Sequence, residues 1–239
     1  MSTDAQTAGP AGLQPATVPD LPPRWVGWLG LCATSAILLG ALITAIAYVG
    51  YAGESYSPFN HFISELGETS QSRLAPVFNA GVVIGGIGLG LFLLILARHL
   101  TSGYRLALGL AAIVAGASGS LVGAFPMDTH AVHRVVSGVF FCTGWIVAAV
   151  FSAWLLRHPQ PGFPRWLVWP GALSIATSFA FVIVYSTYRP IDPDAQILGR
   201  AALWTVPMLE WASLLTLLLW FLCVSHVLAR RADGPTPER

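Results

Sequence analysis

Residues 76–98 read PVFNAGVVIGGIGLGLFLLILAR, and this stretch decides the fold class. It carries no charged residue before Arg98, and its length suits a bilayer, which an α-helix of about 20 apolar residues can cross. Because lipid offers no hydrogen bonds to the backbone, only helices and closed barrels span it. A barrel strand would show about ten residues of alternating polarity, which this stretch does not. The stretch therefore predicts a transmembrane helix.

Five further runs share this character, at about 26–50, 105–125, 134–156, 166–187 and 202–228. The chain has 239 residues, of which 55% are hydrophobic and 10% charged, whereas a soluble domain carries roughly 25% charged residues. We therefore predict an all-α polytopic membrane protein with six transmembrane helices in one membrane domain, residues 24–229. Residues 1–23 lack apolar periodicity and are expected to form a disordered cytoplasmic tail, and 230–239 a second tail. The net charge of +1 provides no basic field for nucleic acid.

Arginine placement predicts the orientation, because cytoplasmic loops carry an excess of basic residues. Six spans put both termini on one side, with Arg24, Arg98, Arg105, Arg157, Arg165, Arg230, Arg231 and Arg239. The opposite side holds Arg73, Arg134, Arg189 and Arg200. Eight against four predicts a plasma (inner) membrane protein with both termini in the cytoplasm. The loops after spans one, three and five then face outward.

The second span is rich in glycines spaced four apart. Gly81 and Gly85 form one GxxxG motif, and Gly86 and Gly90 form another. Small residues at this spacing let helix backbones approach closely. The motifs predict packing within the bundle, and a homo-oligomer through the same face is the alternative.

The first outward loop carries a short amphipathic pattern. Ser57-Pro58 is a typical helix start, Gly67 a typical stop, and apolar residues recur between them at i, i+3, i+4 and i+7. This predicts a short interfacial helix over about 58–66. Its polar face would hold His61, Ser64 and Glu65, the alternative being an ordinary solvated face.

The second outward loop reads FPMDTHAVHRVVSG, residues 125–138. Asp128 is placed to cap the fourth helix. His130 and His133 are three residues apart on one helical face, with Arg134 beside them. Two histidines and an aspartate within six residues make this loop a second part of the candidate site.

Glu210 lies inside the last span, in PMLEWASLL. An ionised carboxylate within a span costs a few kcal/mol, so Glu210 is expected to face the bundle interior and to be paired or protonated. Arg200, in the third outward loop, joins Arg134 and His133 as an available partner. The predicted ligand-binding set is His61, Ser64, Glu65, His133, Arg134, Arg200 and Glu210.

These residues carry a resemblance to a known group. SPFNHFISELGETSQSRLAPVFNAG, residues 57–81, resembles the first extracytoplasmic loop of the bacterial domain-of-unknown-function 998 membrane proteins. The matching positions are Ile63 to Gly67 with Phe78 and Asn79, and further matches are Gly123 to Pro126, His133, Phe140 or Phe141, and Glu210-Trp211. More distantly the chain is similar to the Frag1/DRAM/Sfk1 superfamily of six-span proteins. The resemblance implies six spans and, by analogy at the level of fold alone, a lipid-facing role.

Three functions are compatible with these patterns. The first is binding of a membrane lipid or small amphiphile at the extracytoplasmic mouth of the bundle, which needs no cofactor. The second is an intramembrane metal-dependent hydrolase or transferase acting on a lipid, with Zn²⁺ held by candidates His61, Asp128, His130 and His133. Its catalytic candidates are Glu65, His133 and Glu210. The third is a proton-coupled transporter or a structural membrane protein.

Overall fold

The computed structural model describes residues 21–187 and 200–231. Within these ranges six helices are long and apolar enough to cross a membrane, so the protein is a multi-pass membrane protein. They are α1 (Arg24–Ile46), α2 (Ala75–Ala97), α3 (Ser102–Ala124), α4 (Ala131–Arg157), α5 (Val168–Thr187) and α6 (Thr205–Arg230). Short 3₁₀ helices lie at Ile63–Gly67, Met127–Thr129 and Arg165–Leu167. The all-α prediction is confirmed, while the predicted tails lie outside the described residues except at 21–23 and 230–231.

Consecutive helices pack side by side, and α1 also packs against α6, so the six helices form a closed ring. Across the ring, α4 and α6 touch only weakly. The contact between α1 and α6 includes a hydrogen bond of 3.1 Å from Arg24 Nε to the Ala229 carbonyl. The ring leaves room in its centre, and what fills that room differs between the two ends.

At the end that carries the first and last described residues, aromatic side chains fill the centre. Phe151, Trp154, Phe163 and Trp220 are each at most 2% exposed. The Phe151 ring lies 5.7 Å from Trp154, 5.3 Å from Phe163 and 5.7 Å from Trp220. These edge-to-face and tilted pairs are favourable geometries for buried rings. We call this the inner end and the opposite end the outer end, after the orientation predicted from the arginines. At the inner end, the packing of these side chains closes the ring of helices.

The glycines of α2 serve packing within the ring. Gly81 and Gly85 face α1, where an added Cβ would lie 2.6 Å from the Ala36 carbonyl oxygen and 2.3 Å from Ile37. Gly86 and Gly90 face α3 instead, and a Cβ added at Gly90 would lie 3.2 Å from Gly116 Cα. The two motifs therefore hold α2 between its neighbours. A homo-oligomer through the same glycines stays a prediction, and it would require these helices to separate.

The first span is shorter than predicted. α1 ends at Ile46, and residues 47–50 belong to the outer loop. Tyr48 in that loop is only 3% exposed. Its apolar character thus reflects burial under the loop and not contact with lipid.

The predicted helix over 58–66 takes a different form. Residues 58–60 make a turn, and a 3₁₀ helix begins only at Ile63. Phe62 between them is extended, with φ −64° and ψ 146°. Its N–H donates to the Glu65 carboxylate at 2.9 Å, a bond that stabilises the break in place of a continuous helix.

Candidate functional site

The outer end of the ring is covered by residues 56–67, which we call the roof segment. Within this segment, the side chains of Ile63 and Leu66 are buried, at 5% and 0% exposure. The Gly67 carbonyl accepts a 2.9 Å hydrogen bond from Asn79 Nδ2 on α2. The roof segment is attached mainly to the chain that leads into α6. The Trp204 N–H donates to the Phe59 carbonyl at 2.8 Å, and Trp211 Nε1 donates to the Tyr56 hydroxyl at 2.9 Å.

An ion pair between Arg200, whose side chain is 14% exposed, and Glu65, which is 6% exposed, adds to these attachments. Arg200 Nη1 lies 3.0 Å and 2.9 Å from the two carboxylate oxygens of Glu65. The same nitrogen donates to the Asn60 carbonyl at 3.0 Å. Burial raises the pKa of Glu65, and the charge of Arg200 opposes that rise. Arg200 is therefore engaged within the protein and holds the roof segment down.

Aromatic residues surround this ion pair, and sequence reasoning did not place them in the site. The Tyr48 hydroxyl donates to Glu65 Oε2 at 3.4 Å, and the Tyr56 hydroxyl donates to the Phe62 carbonyl at 2.9 Å. Burial raises the pKa of both tyrosines. Both remain neutral donors at ordinary pH. The paired motif Glu210-Trp211 was the available signal, since Trp211 binds Tyr56 directly.

His61 belongs to the same cluster but lies apart from the interior of the ring. Its Nδ1 is 2.8 Å from Asn60 Oδ1, and its Nε2 is 3.7 Å from Glu54 Oε1. His61 is 2% exposed. Burial lowers the pKa of its imidazole, and the nearby charge of Arg200 lowers it further. His61 is thus a neutral, structural member of the roof segment at neutral pH.

Glu210 lies under the roof segment and is 6% exposed. Its Oε2 accepts a 2.8 Å hydrogen bond from the backbone N–H of Ile63. The sequence predicted burial and pairing, but with Arg134, His133 or Arg200 as the partner. A main-chain donor takes that place because the 3₁₀ helix turns its first N–H inward.

Below Glu210, a crevice runs through the centre of the ring. Its empty space totals about 820 Å³ when the part open to the outside is included, whereas the comparable cavity volume is about 80 Å³, below the roughly 300–1,000 Å³ of typical ligand sites. On α2 it is lined from Phe78 to Leu93, a rise of roughly 22 Å at 1.5 Å per residue. The smaller volume measures the room available without movement, so the crevice is long and narrow.

Polar side chains line the crevice only at its outer end. The four among the described lining residues are Ser64, His133, Ser137 and Glu210. His133 Nδ1 donates to the Phe125 carbonyl at 2.8 Å, which in the neutral ring leaves the lone pair on Nε2. The Ser137 hydroxyl donates to the His133 carbonyl at 2.7 Å. The remaining walls are aliphatic, aromatic or glycine.

Three predicted site residues lie elsewhere. Arg134 is exposed on α4, about 100° around the helix from His133, and does not line the crevice. His130 is exposed, with φ 29°, at the start of α4. Asp128 does not cap α4 but accepts hydrogen bonds from the Thr69 N–H at 2.8 Å and hydroxyl at 2.5 Å. Asp128 instead ties the second outer loop to the first.

The predicted zinc candidates do not gather. Across residues 21–187 and 200–231, no three His, Cys, Asp or Glu side chains lie close enough to hold a metal ion together. His61 lies in the roof segment, His133 lines the crevice, and Asp128 and His130 lie outside both. The metal-dependent alternative remains a prediction that this geometry does not favour.

Comparison with known proteins gives one match. The model of a family described as "Protein of unknown function (DUF998)" matches residues 24–227, which covers all six helices except the last residues of α6. No curated protein and no solved structure matches the chain.

Proposed function

The chain belongs to the DUF998 family of proteins of unknown function, and from the geometry of its site we propose that it binds a lipid or small amphiphile in the crevice. The polar end of the ligand would lie beside Glu210, His133 and Ser64, beneath the roof segment. Its apolar chain would extend between α2, α3, α4 and α6. The distant similarity to the Frag1/DRAM/Sfk1 superfamily stays an expectation beside this proposal.

One observation carries the proposal, namely the separation of polar and apolar lining along the crevice. Ligand sites are mostly apolar with a few placed polar groups, and this crevice has all four at one end. A protein interior without a ligand role is normally packed to near-crystalline density. At the inner end Phe151, Trp154 and Trp220 are fully buried against one another, whereas the crevice runs along the outer two-thirds of α2.

We further propose that the membrane is the plasma (inner) membrane and that both termini are cytoplasmic. Arg98, Arg105, Arg157 and Arg165 lie at helix ends on the side of Arg24 and Arg230. On the side of the roof segment, the described arginines are Arg73, Arg134 and Arg200. This excess follows the positive-inside rule and would open the crevice toward the outside.

A matched pair of variants on one helix tests ligand binding. Ser137→Phe places a ring in the crevice, while Val135→Phe places the same ring on the opposite, 65% exposed face of α4. We expect native mass spectrometry after gentle extraction to show a bound amphiphile on the wild type and on Val135→Phe. Ser137→Phe should lose at least fivefold of that occupancy while keeping its thermal midpoint within a few degrees.

Two results would overturn the proposal. One is a wild-type spectrum that contains only the mass of the bare chain, both after extraction and after incubation with excess monoacylglycerol. The other is equal ligand occupancy in Ser137→Phe and Val135→Phe, because the ligand would then sit outside the crevice.

A further inference from the structure

The hydrogen-bonding groups at the outer end of the crevice define the head group that fits there. A ligand head must complement whatever donors and acceptors the site leaves open, because an unmatched buried polar group is destabilising. The polar lining residues are few enough for a complete inventory. This inference rests on the proposed function, since it assumes that the crevice binds a ligand.

The donors of the lining side chains are already committed to the protein. The Ser64 hydroxyl donates to Met127 Sδ at 3.7 Å, and the Ser137 hydroxyl donates to the His133 carbonyl at 2.7 Å. The Nδ1–H of His133 donates to the Phe125 carbonyl at 2.8 Å. Each serine retains lone pairs, and His133 retains the lone pair of Nε2. These three side chains thus present acceptors to the crevice.

Glu210 reinforces this pattern. Its Oε2 is occupied by the Ile63 N–H, and a carboxyl group keeps acceptor oxygens in either protonation state. When ionised, it also repels a second negative charge in a site of low dielectric constant. The crevice mouth is therefore rich in acceptors, and the one carboxyl group among its described lining residues, that of Glu210, can bear a negative charge but never a positive one.

Positive charge is absent from the described lining. The chain contains no lysine, and no described arginine lines the crevice. Arg200 is bound to Glu65 and to the Asn60 carbonyl, and Arg134 faces away on the exposed side of α4. A phosphate or carboxylate needs cations or several N–H donors around it. Neither is available beside Glu210.

We infer that the crevice selects an uncharged, hydroxyl-bearing amphiphile with a single slim chain, such as a monoacylglycerol, and rejects the corresponding anionic phospholipid. The hydroxyls of the head donate to Glu210, to His133 Nε2 and to the serine oxygens. The cavity volume of about 80 Å³ leaves no room for two chains, and side chains must move to admit even one. The inferred ligand therefore lacks an anionic head group, which would have needed Arg134 or Arg200 as its partner.

The test compares two ligands that differ only in a phosphate. The purified full chain, cleared of endogenous lipid, is titrated with 1-lauroylglycerol and with 1-lauroyl-glycerol-3-phosphate and analysed by native mass spectrometry. We expect the uncharged ligand to bind at least tenfold more tightly. Equal binding, or tighter binding of the phosphate, would overturn the inference while leaving the proposed function standing. Binding of neither ligand would contradict the proposed function itself.

Two variants test which residue causes the preference for the uncharged ligand. Glu210→Gln keeps an oxygen for the Ile63 N–H, but it cannot ionise and it adds N–H donors. The affinity ratio of the uncharged ligand to the phosphate ligand should therefore shrink at least threefold, through stronger binding of the phosphate ligand. Arg134→Ala is the control, and both affinities should stay within twofold of the wild type. An unchanged preference in a folded Glu210→Gln would show that Glu210 does not face the head group, and would overturn the assignment.

Discussion

The two ends of the six-helix ring are closed in different ways. At the inner end, the space between the helices is filled by Phe151, whose ring packs tilted against Trp154 and edge to face against Trp220. At the outer end the helices leave a crevice, and the polar roof segment covers it through the Glu65–Arg200 pair. Burial of large rings stabilises the inner end over its whole contact area, whereas the cover of the outer end depends on a few polar bonds that can break together. We therefore expect the inner end to be the more stable, and under the proposed function the outer end would adjust to a ligand.

The largest effect is expected where the aromatic packing is removed. Trp154→Ala deletes a side chain that is 1% exposed and should lower the free energy of unfolding by about 3–5 kcal/mol. Trp169→Ala is the matched control, because that ring is 76% exposed, and it should change stability by less than about 1 kcal/mol. Thermal unfolding in the same detergent measures both. Similar losses in the two variants would remove the distinction between core and lipid-facing rings.

The ion pair of the roof segment should give the next largest effect. Glu65→Ala leaves the partly buried Arg200 charge without its carboxylate partner, which should cost at most about 3 kcal/mol, the value at which the range for fully buried pairs begins. Glu65→Leu combined with Arg200→Leu removes both charges and should cost less than either single change. A double-mutant cycle by thermal unfolding measures this coupling. Additive losses would mean that the pair does not hold the roof segment.

Sequence patterns predicted the helices because hydropathy and length decide whether a segment enters lipid. They placed the end of the first span four residues too late, because an apolar residue such as Tyr48 can be buried under a loop as well as in a bilayer. They also predicted a continuous helix over 58–66, because the apolar spacing fits both a helix and a turn followed by a 3₁₀ helix. What decided between these was the bond from the Phe62 N–H to Glu65, which depends on tertiary contacts.

Within the candidate site, the depth of Glu210 in the last span predicted its burial. Helical spacing argues against Arg134, since adjacent residues on a helix point about 100° apart. The partners of Arg200 and Glu210 could not be predicted, because a sequence does not show which of several nearby acceptors or backbone donors a turn will present. The place of Tyr56 in the site could not be predicted for a similar reason, since its hydroxyl accepts a hydrogen bond from Trp211 on α6, far along the chain.

A smaller effect is expected from the titration of His61. The pKa of His61 is lowered, first by burial and then by the charge of Arg200, against the opposing effect of Glu54. The unfolded chain takes up a proton near the ordinary value of 6.5, and the folded protein excludes it. Stability is therefore complete above pH 6.5 and falls as the pH drops below it, by at most about 1.4 kcal/mol per pH unit.

Comparison with His61→Asn isolates this contribution, because the asparagine amide can replace Nδ1–H without titrating. We expect the variant to lose less stability than the wild type between pH 7 and pH 5.5. The raised pKa of Glu65 acts with the opposite sign, and it is present in both proteins, so the comparison cancels it. Parallel stability curves for the two proteins would show that His61 takes up its proton as readily in the folded state as in the unfolded state.

The smallest effect is expected at the tie between the two outer loops, where Asp128 accepts hydrogen bonds from Thr69 and Ser70. These bonds lower the pKa of Asp128 in spite of its partial burial. Asp128→Ala should change the global free energy of unfolding by no more than about 1 kcal/mol, because the contact is exposed. Exchange of the Thr69 amide should nevertheless accelerate, since that N–H donates directly to Asp128. Amides of α4 near Trp154 should be unaffected, because local opening at the outer end does not require the inner end to separate. Equal acceleration at both ends would mean that the ring opens as one unit, and the roof segment would then not be an independently adjustable cover for the crevice.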